Sequence, residues 1–256
     1  MAIYLGSNLV NANAGTILEQ SFSFPNGTEW TQSNKNSERF LCTYNANGIW
    51  VAGANSKGLY YSTNGKTWTQ SNITSGAFKC VYNANGIWVA GSSNGLYYST
   101  DGKTWTRSNG TNYSFYSVYN ANGIWVASGY SYGLYYSTDG QTWTQSNITS
   151  NTFNCLYNAN GIWVAGSDSV GLYYSTDGKI WIQTDTSSGN FKCTYNANGI
   201  WVAGSSNKGL YYSTDGKTWT QSNITNYSFY SVYNANGIWV VGSNKGLYYS
   251  VTWELA

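Results

Sequence analysis

The sequence predicts an all-β fold, a six-bladed β-propeller, from its repeats and from the composition of each repeat. The octapeptide YNANGIWV occurs six times, at starts spaced 37 or 38 residues apart, which marks a repeat architecture. Each repeat holds four short segments rich in aromatic and β-branched residues, separated by turn signals. No segment has the length or spacing of a helix, and the only proline is Pro25.

The first repeat illustrates the four predicted strands of a blade, A to D. They are residues 40–46, 49–53, 59–62 and 67–71. Asn47 and Gly48 join strands A and B, and an Asn-Gly pair suits a tight two-residue hairpin turn. Asn64 and Gly65 are expected to join strands C and D in the same way.

Four strands in about 38 residues cannot bury a core alone, so we expect six such units to close into a ring. The predicted blades are residues 40–72, 78–109, 115–147, 153–184, 191–222 and 229–250. Residues 24–34 are expected to close the ring as the fourth strand of blade six, because NGTEWTQSN at 26–34 matches DGKTWTRSN at 101–109. The propeller then spans 20–256, after an N-terminal extension at 1–19. In an alternative closure VTWELA at 251–256 is that strand, and residues 1–39 form an outer cap.

The segment from Ser99 to Trp105, STDGKTW, resembles the Asp-box, or bacterial neuraminidase repeat, with the pattern Ser-x-Asp-x-Gly-x-Thr-Trp. Every copy here is one residue shorter than that pattern between Asp and Gly. The resemblance implies a propeller fold and a structural role for the box positions, because Asp accepts backbone N–H bonds in turns and Trp anchors the hairpin. Those positions are Asn64, Asp101, Asp139, Asp177 and Asp215. All 13 tryptophans occupy repeat positions and are expected to pack between blades.

The composition argues against catalysis. The chain has no histidine, and its two arginines are fewer than the three that a sialidase-type site, implied by the resemblance, would use. Outside the boxes, Asp168 and Asp185 are the only internal carboxylate pair near one blade, and we expect both to be solvated. We therefore expect no catalytic residue, no metal site and no cofactor.

Charge and hydropathy restrict the partners. A net charge of +2 gives no basic stripe for nucleic acid, and no apolar run reaches the ~20 residues of a membrane span. The opening MAIYLGSNLV lacks the features of a secretory signal, which predicts synthesis in the cytoplasm.

Four cysteines share one position in strand A of their repeats, and serines take it in the third and sixth repeats. The cysteines are Cys42, Cys80, Cys155 and Cys193, and the serines are Ser117 and Ser231. Neighbouring blades pack about 10 Å apart, whereas a disulfide needs Cα atoms within roughly 7 Å. We expect free, buried thiols.

The differences between repeats concentrate in the B–C and D–A loops, which lie on one rim of a four-stranded meander. Unconstrained loops also vary, but Tyr, Ser, Asn, Gly and Thr with scattered Lys are typical of binding surfaces. The tyrosines outside the repeated positions cluster in the third and sixth repeats, which predicts an approximate two-fold pattern. The candidate ligand-binding residues are Tyr113, Tyr116, Tyr130, Tyr132, Lys79, Tyr227 and Tyr230.

The opening residues also resemble the start of phage tail and other virion-associated proteins. The leading functional hypothesis is a non-enzymatic, virion-associated recognition module whose partner is a glycan or another host-surface receptor. The alternative is a structural repeat protein that mediates assembly. An Asp-box glycosidase is the third hypothesis.

Overall fold

The structure, a computed structural model, describes residues 31–35 and 37–250, together with the backbone of two short strands earlier in the sequence. Those strands, β1 (Ile3–Leu5) and β2 (Asn8–Val10), pair antiparallel in a unit that spans Met1–Gln32. A second unit, Ser33–Ala256, contains the repeats. The described part of the chain contains no helix that could cross a membrane.

Six antiparallel sheets make up the second unit, and each is a meander with its strands paired in chain order. The strands of blades one to three are β3 (Phe40–Ala46), β4 (Ile49–Ala54), β5 (Leu59–Ser62), β6 (Thr69–Gln70), β7 (Phe78–Ala84), β8 (Ile87–Ser92), β9 (Gly95–Ser99), β10 (Thr106–Arg107), β11 (Phe115–Ala121), β12 (Ile124–Gly129), β13 (Gly133–Ser137) and β14 (Thr144–Gln145). Those of blades four to six are β15 (Phe153–Ala159), β16 (Ile162–Ser167), β17 (Leu172–Ser175), β18 (Ile182–Gln183), β19 (Phe191–Ala197), β20 (Ile200–Ser205), β21 (Gly209–Ser213), β22 (Thr220–Gln221), β23 (Phe229–Ala235), β24 (Ile238–Ser243) and β25 (Gly246–Ser250). The predicted all-β, six-bladed propeller is confirmed.

The A–B hairpins have the predicted tight turn. Ala46 pairs with Ile49, which leaves only Asn47 and Gly48 in the loop. Their φ angles are 52° and 76°, the left-handed values that a type I′ turn requires at both positions. The same pair recurs in all six blades, so a purely local signal positions this edge of every sheet.

The prediction of an equally tight C–D hairpin is wrong. Tyr61 pairs with Thr69, and residues 63–68 form a longer loop between the two strands, so strand D begins two residues later than predicted. The Ser62 hydroxyl accepts hydrogen bonds from the N–H groups of Asn64 and Gly65, at 3.2 and 2.9 Å. The loop is therefore closed by side-chain bonds and not by a two-residue turn.

The blades are held together by apolar faces that repeat at each junction. Leu59 of blade one packs with Phe78, Trp88 and Trp105 of blade two, and all four side chains are buried. Burying a side chain of this size stabilises a fold by roughly 1.5–3 kcal/mol. Corresponding tryptophans are buried at the later junctions, which confirms the predicted packing for nine of the 13 tryptophans. Trp50 is exposed and Trp68 is partly buried, whereas Trp30 and Trp253 lie outside the described residues.

A ladder of strand-A tyrosines runs along all six blades. Its members are Tyr44, Tyr82, Tyr119, Tyr157, Tyr195 and Tyr233, and successive ring centroids lie 4.8–5.4 Å apart. Each of the first five also contacts the edge of a tryptophan in the next blade, at 6.0–6.2 Å. The repeated YN and GIW positions therefore form one continuous aromatic array.

Side chains at the end of strand D connect one blade to the next. Asn72 donates to the carbonyl of Trp105 at 2.9 Å and accepts from its N–H at 2.8 Å. Asn147 makes the same two bonds with Trp181. Asn34 makes them with Trp68 in blade one, so it has the role that the end of a fourth strand has elsewhere.

The first and last blades carry exposed apolar side chains. Leu247 in blade six is 78% exposed, whereas its counterpart Leu59 is 0% exposed. Blade six has three strands among the described residues. Of the predicted closing segment 24–34, residues 31–34 form no strand, and the rest lies outside the described residues, as does the alternative at 251–256.

The cysteines are unpaired, as predicted, although they are partly buried where full burial was expected. Cys42 Sγ lies 3.6 Å from the carbonyl oxygen of Phe78 in the next blade. Desolvation by burial raises the pKa of Cys42 and Cys193 to about 12, and it raises the pKa of Cys80 and Cys155 in the same direction.

These thiols are expected to resist alkylation in the folded protein. With a pKa of about 12, only roughly one Cys42 thiol in ten thousand is a thiolate at pH 8, and the thiolate is the reactive form. Iodoacetamide should label the folded protein far more slowly than the unfolded one, and unfolding without reductant should expose all four thiols. Counting two or fewer would contradict the unpaired state.

Candidate functional site

The third blade carries the densest group of candidate residues, on the rim formed by its B–C and D–A loops. Tyr130 and Tyr132 lie in the B–C loop, whereas Tyr113 precedes β11 and Tyr116 lies at its start. The structure brings these four tyrosines together as two ring pairs. We call this group the tyrosine platform.

The first pair is a stack. The rings of Tyr113 and Tyr132 are 3.8 Å apart with an interplanar angle of 23°. Tyr113 also packs against the core between blades two and three, while Tyr132 remains 42% exposed. Tyr113 therefore supports the ring that Tyr132 presents to solvent.

The second pair involves a neighbouring cation. The rings of Tyr116 and Tyr130 meet edge to face at 5.7 Å, and Tyr130 is 50% exposed. Lys79 of blade two places Nζ 3.8 Å from the centre of the Tyr116 ring and donates to Ser114 Oγ at 3.1 Å. Desolvation by burial lowers the pKa of Lys79, and it outweighs the opposing effects of Cys80 and Tyr130.

The B–C loop is fixed by bonds that the sequence did not reveal. Ser131 has a φ of 61°, and its N–H donates to Thr152 Oγ1 at 3.0 Å. The Tyr130 N–H donates to the Ser114 carbonyl at 2.7 Å, and the Gln145 side chain donates to the Tyr132 carbonyl at 2.8 Å. The two exposed tyrosines therefore project from an anchored loop.

The sixth blade shows only part of the expected two-fold pattern. Tyr227 stacks on Tyr248 at 5.7 Å, and Tyr230 is exposed. The B–C loop of this blade carries Asn244 and Lys245 and no tyrosine. Tyr227 and Tyr230 therefore do not form a second platform of paired loop tyrosines.

The box residues hold the C–D loops. Asp101 Oδ1 accepts from the N–H groups of Lys103 and Thr104, both at 2.7 Å, and from the Ser99 hydroxyl at 2.9 Å. Partial burial favours a higher pKa, but these hydrogen bonds outweigh it and lower the pKa of Asp101. Asp139, Asp177 and Asp215 have the same bonds and the same direction of pKa shift, and Asn64 accepts the two backbone bonds with its amide oxygen.

The two internal carboxylates outside the boxes each bind a group nearby. Asp185 was expected to be solvated, but its carboxylate accepts from the Trp219 N–H at 3.1 Å, in the role of Asn72 and Asn147. The repeat alignment contained this signal, since Asp185 occupies the asparagine position. Asp168 accepts from the Ser169 hydroxyl at 3.1 Å. Among the residues that the structure describes, no three His, Cys, Asp or Glu side chains are grouped to hold a metal ion.

No protein-family model and no curated protein matches the sequence. Solved propeller structures resemble the chain at low identity. YCF48 bound to D1 peptide matches with a TM-score of 0.61 and 17% identity, over 84% of this chain and 78% of YCF48. The GH74 enzyme from Niastella koreensis matches with a TM-score of 0.60 and 20% identity, over 84% of this chain and 36% of the enzyme.

A third similar structure is the extracellular domain of a one-component system protein from B. thetaiotaomicron. Its TM-score is 0.66 at 14% identity, over 85% of this chain and 32% of that domain. The chain thus spans about a third of the length of this domain and of the GH74 enzyme. At these identities the likeness shows the fold alone, and that fold is the β-propeller.

Proposed function

We propose that the chain is a non-enzymatic recognition module that binds a host-surface glycan through the tyrosine platform. The observation that carries this proposal is the pairing of four tyrosine rings, of which Tyr130 and Tyr132 lie on an anchored loop and are about half exposed. The resemblance of the opening residues to virion-associated proteins supports a place for the module on a virion.

The chemistry of the platform suits a sugar. A tyrosine ring offers a flat apolar face to the C–H groups of a pyranose, and its hydroxyl can fix the orientation of the ligand. Tyrosine also loses little conformational entropy on binding, since it has two side-chain torsions. Tyr132 is already held by its stack on Tyr113, which lowers that cost further.

The carboxylates support a role without catalysis. Hydrolysis of a glycoside by the usual route needs two carboxyl groups that face one cleft. Asp101, Asp139, Asp177 and Asp215 bind backbone N–H groups of their own loops, and Asp185 binds Trp219. The platform itself consists of tyrosines beside one lysine.

A second candidate function is assembly, and the exposed apolar side chains of blades one and six favour it. Leu247 and Tyr249 of blade six are exposed, and so is Trp50 of blade one. Exposed apolar surface of this kind marks protein contacts in many proteins. YCF48, a propeller of similar fold, was solved with a peptide bound, so a peptide ligand is a further possibility for this chain.

The proposal predicts separate effects on binding and on stability. A glycan array probed with the full chain would identify a ligand, and titration calorimetry would measure its affinity. Tyr116→Ser combined with Tyr132→Ser should weaken that affinity at least tenfold, because both rings lose their stacking faces. The melting temperature should change by no more than a few degrees, since Tyr132 is 42% exposed and Tyr116 is only partly buried.

A matched control lies on the opposite rim. Ile180 is an exposed apolar residue in the box of blade four, where other boxes carry threonine. Ile180→Thr should leave the affinity unchanged. Unaltered binding in the tyrosine double variant would reject the platform. Failure of the array, together with a stable oligomer that buries Leu247, would favour assembly.

A further inference from the structure

The charges of the chain are divided unequally between the two rims of the propeller. On the scaffold rim, formed by the A–B and C–D turns, the described residues include four lysines and the four aspartates of the boxes. The lysines are Lys66, Lys103, Lys179 and Lys217, and the aspartates are Asp101, Asp139, Asp177 and Asp215. The described part of this rim is therefore neutral.

The variable rim, formed by the B–C and D–A loops and the strand ends beside them, is basic. Among the described residues it carries eight basic side chains: Lys35, Arg39, Lys57, Lys79, Arg107, Lys192, Lys208 and Lys245. It carries three acidic ones: Glu38, Asp168 and Asp185. The remaining three carboxylates, those of Glu19, Glu29 and Glu254, lie outside the described residues and bring the net charge of the whole chain to +2.

Lys79 brings this positive charge to the tyrosine platform. Its ammonium group is partly desolvated, and in the described part of the chain it contacts the Tyr116 ring and the Ser114 hydroxyl. Both are neutral. An ammonium group has three N–H donors, so the bond to Ser114 leaves donors for a ligand.

A partly desolvated cation without an anionic partner is costly in a free protein, and an anionic ligand would remove that cost. A rim with excess positive charge also raises the local concentration of anions and speeds their association. These two effects act in the same place, because Lys79 contacts the platform directly.

We propose that the ligand of the platform is an acidic glycan, whose sugar carboxylate binds Lys79 while a sugar ring stacks on an exposed tyrosine. This inference rests on the proposed function and specifies its ligand class. The remaining basic residues of the variable rim, such as Lys57 and Arg107, attract further carboxylates of a polymer without fixing its position.

The test compares two forms of one polysaccharide, polygalacturonate and its carboxyl-reduced derivative, with the full chain at 50 and 300 mM NaCl. At 50 mM NaCl, polygalacturonate should bind at least tenfold more tightly than the carboxyl-reduced polymer. This difference in affinity should be smaller at 300 mM NaCl, because salt screens exposed charges. Lys79→Gln should reduce binding of polygalacturonate about tenfold. The reduced polymer should bind this variant and the parent equally.

Two lysines provide controls. Lys192 occupies the position of Lys79 in blade five, and Lys66 lies on the scaffold rim. Lys192→Gln and Lys66→Gln should each change the affinity less than threefold. A loss as large as that of Lys79→Gln would overturn the specific role of Lys79.

The outcomes separate this inference from the proposed function. Equal binding of both polymers, with loss in Tyr116→Ser/Tyr132→Ser, overturns the acidic ligand and retains the platform. If polygalacturonate binds Tyr116→Ser/Tyr132→Ser as tightly as it binds the parent, the platform is overturned. If a 20-nucleotide single-stranded DNA binds as tightly as polygalacturonate, the surface binds polyanions in general and the acidic glycan is overturned. Absence of binding to polygalacturonate also overturns the acidic glycan.

Discussion

Replacing Trp125 by alanine is expected to lower the free energy of unfolding by about 3–5 kcal/mol, the cost of truncating a buried aromatic side chain. Trp125 is 3% exposed and packs with Phe115 and Trp143 in the core between blades two and three. The edge of its ring also meets Tyr82 at 6.2 Å. Urea denaturation followed by far-UV circular dichroism would measure the loss.

Trp50 provides a matched control, because it occupies the position of Trp125 in blade one. It is 40% exposed, so alanine there removes less buried surface and leaves less of a cavity. We expect Trp50→Ala to cost about half as much as Trp125→Ala or less. Equal losses in the free energy of unfolding would show that a tryptophan at this position stabilises the fold without contact with a preceding blade.

The part of the fold that could be predicted from the sequence is the part that local residues decide. The A–B turn needs two residues with positive φ, and Asn47-Gly48 supplies them without help from distant residues. The C–D loop was mispredicted because Asn64-Gly65 is the same residue pair. There the Ser62 hydroxyl and the Asn64 amide oxygen bind the backbone, and a pattern of turn residues does not show those bonds.

The identities of the platform tyrosines could be predicted because they depart from the repeat, but their pairing could not. The arrangement of Tyr130 and Tyr132 depends on the positive φ of Ser131 and on its bond to Thr152, which belongs to the next blade. The predicted two-fold pattern of tyrosines is only partly present for a related reason. The D–A tyrosines recur in blade six, whereas the B–C loop that completes the pairs differs there.

The cysteine position shows a pairing that repeat comparison could have found. An added Cβ at Gly91 would lie 2.5 Å from Cys80 Sγ, so a cysteine in strand A requires glycine opposite it. In blade three both positions are serine, and the Ser117 N–H donates to Ser128 Oγ at 3.0 Å. In blade six Ser231 keeps a glycine opposite it, Gly242, where an added Cβ would also lie 2.5 Å from the serine Oγ. A serine in strand A therefore does not by itself make room for a larger residue opposite.

Acidification is expected to destabilise the protein through its four box aspartates, and replacing all four by asparagine should remove at least half of that effect. The hydrogen bonds lower the pKa of each folded-state carboxyl below its unfolded value of about 4. A depressed pKa gives stability that is present above the unfolded value and is lost as pH falls through the folded value. The loss should therefore develop below about pH 4, with the four boxes acting in the same direction.

Blade one shows why asparagine should preserve the loops. Asn64 Oδ1 accepts from the N–H groups of Lys66 and Thr67, both at 2.9 Å, and an amide does not titrate in this range. The variant D101N/D139N/D177N/D215N should therefore unfold at pH 7 within a few degrees of the parent and show a flatter dependence of melting temperature on pH between 7 and 2.5. Asp168→Asn is the control, since Asp168 lies outside the boxes and its replacement should leave the parent's pH dependence intact. An unchanged pH dependence in the quadruple variant would show that the box carboxylates bind their loops no better when charged than when neutral.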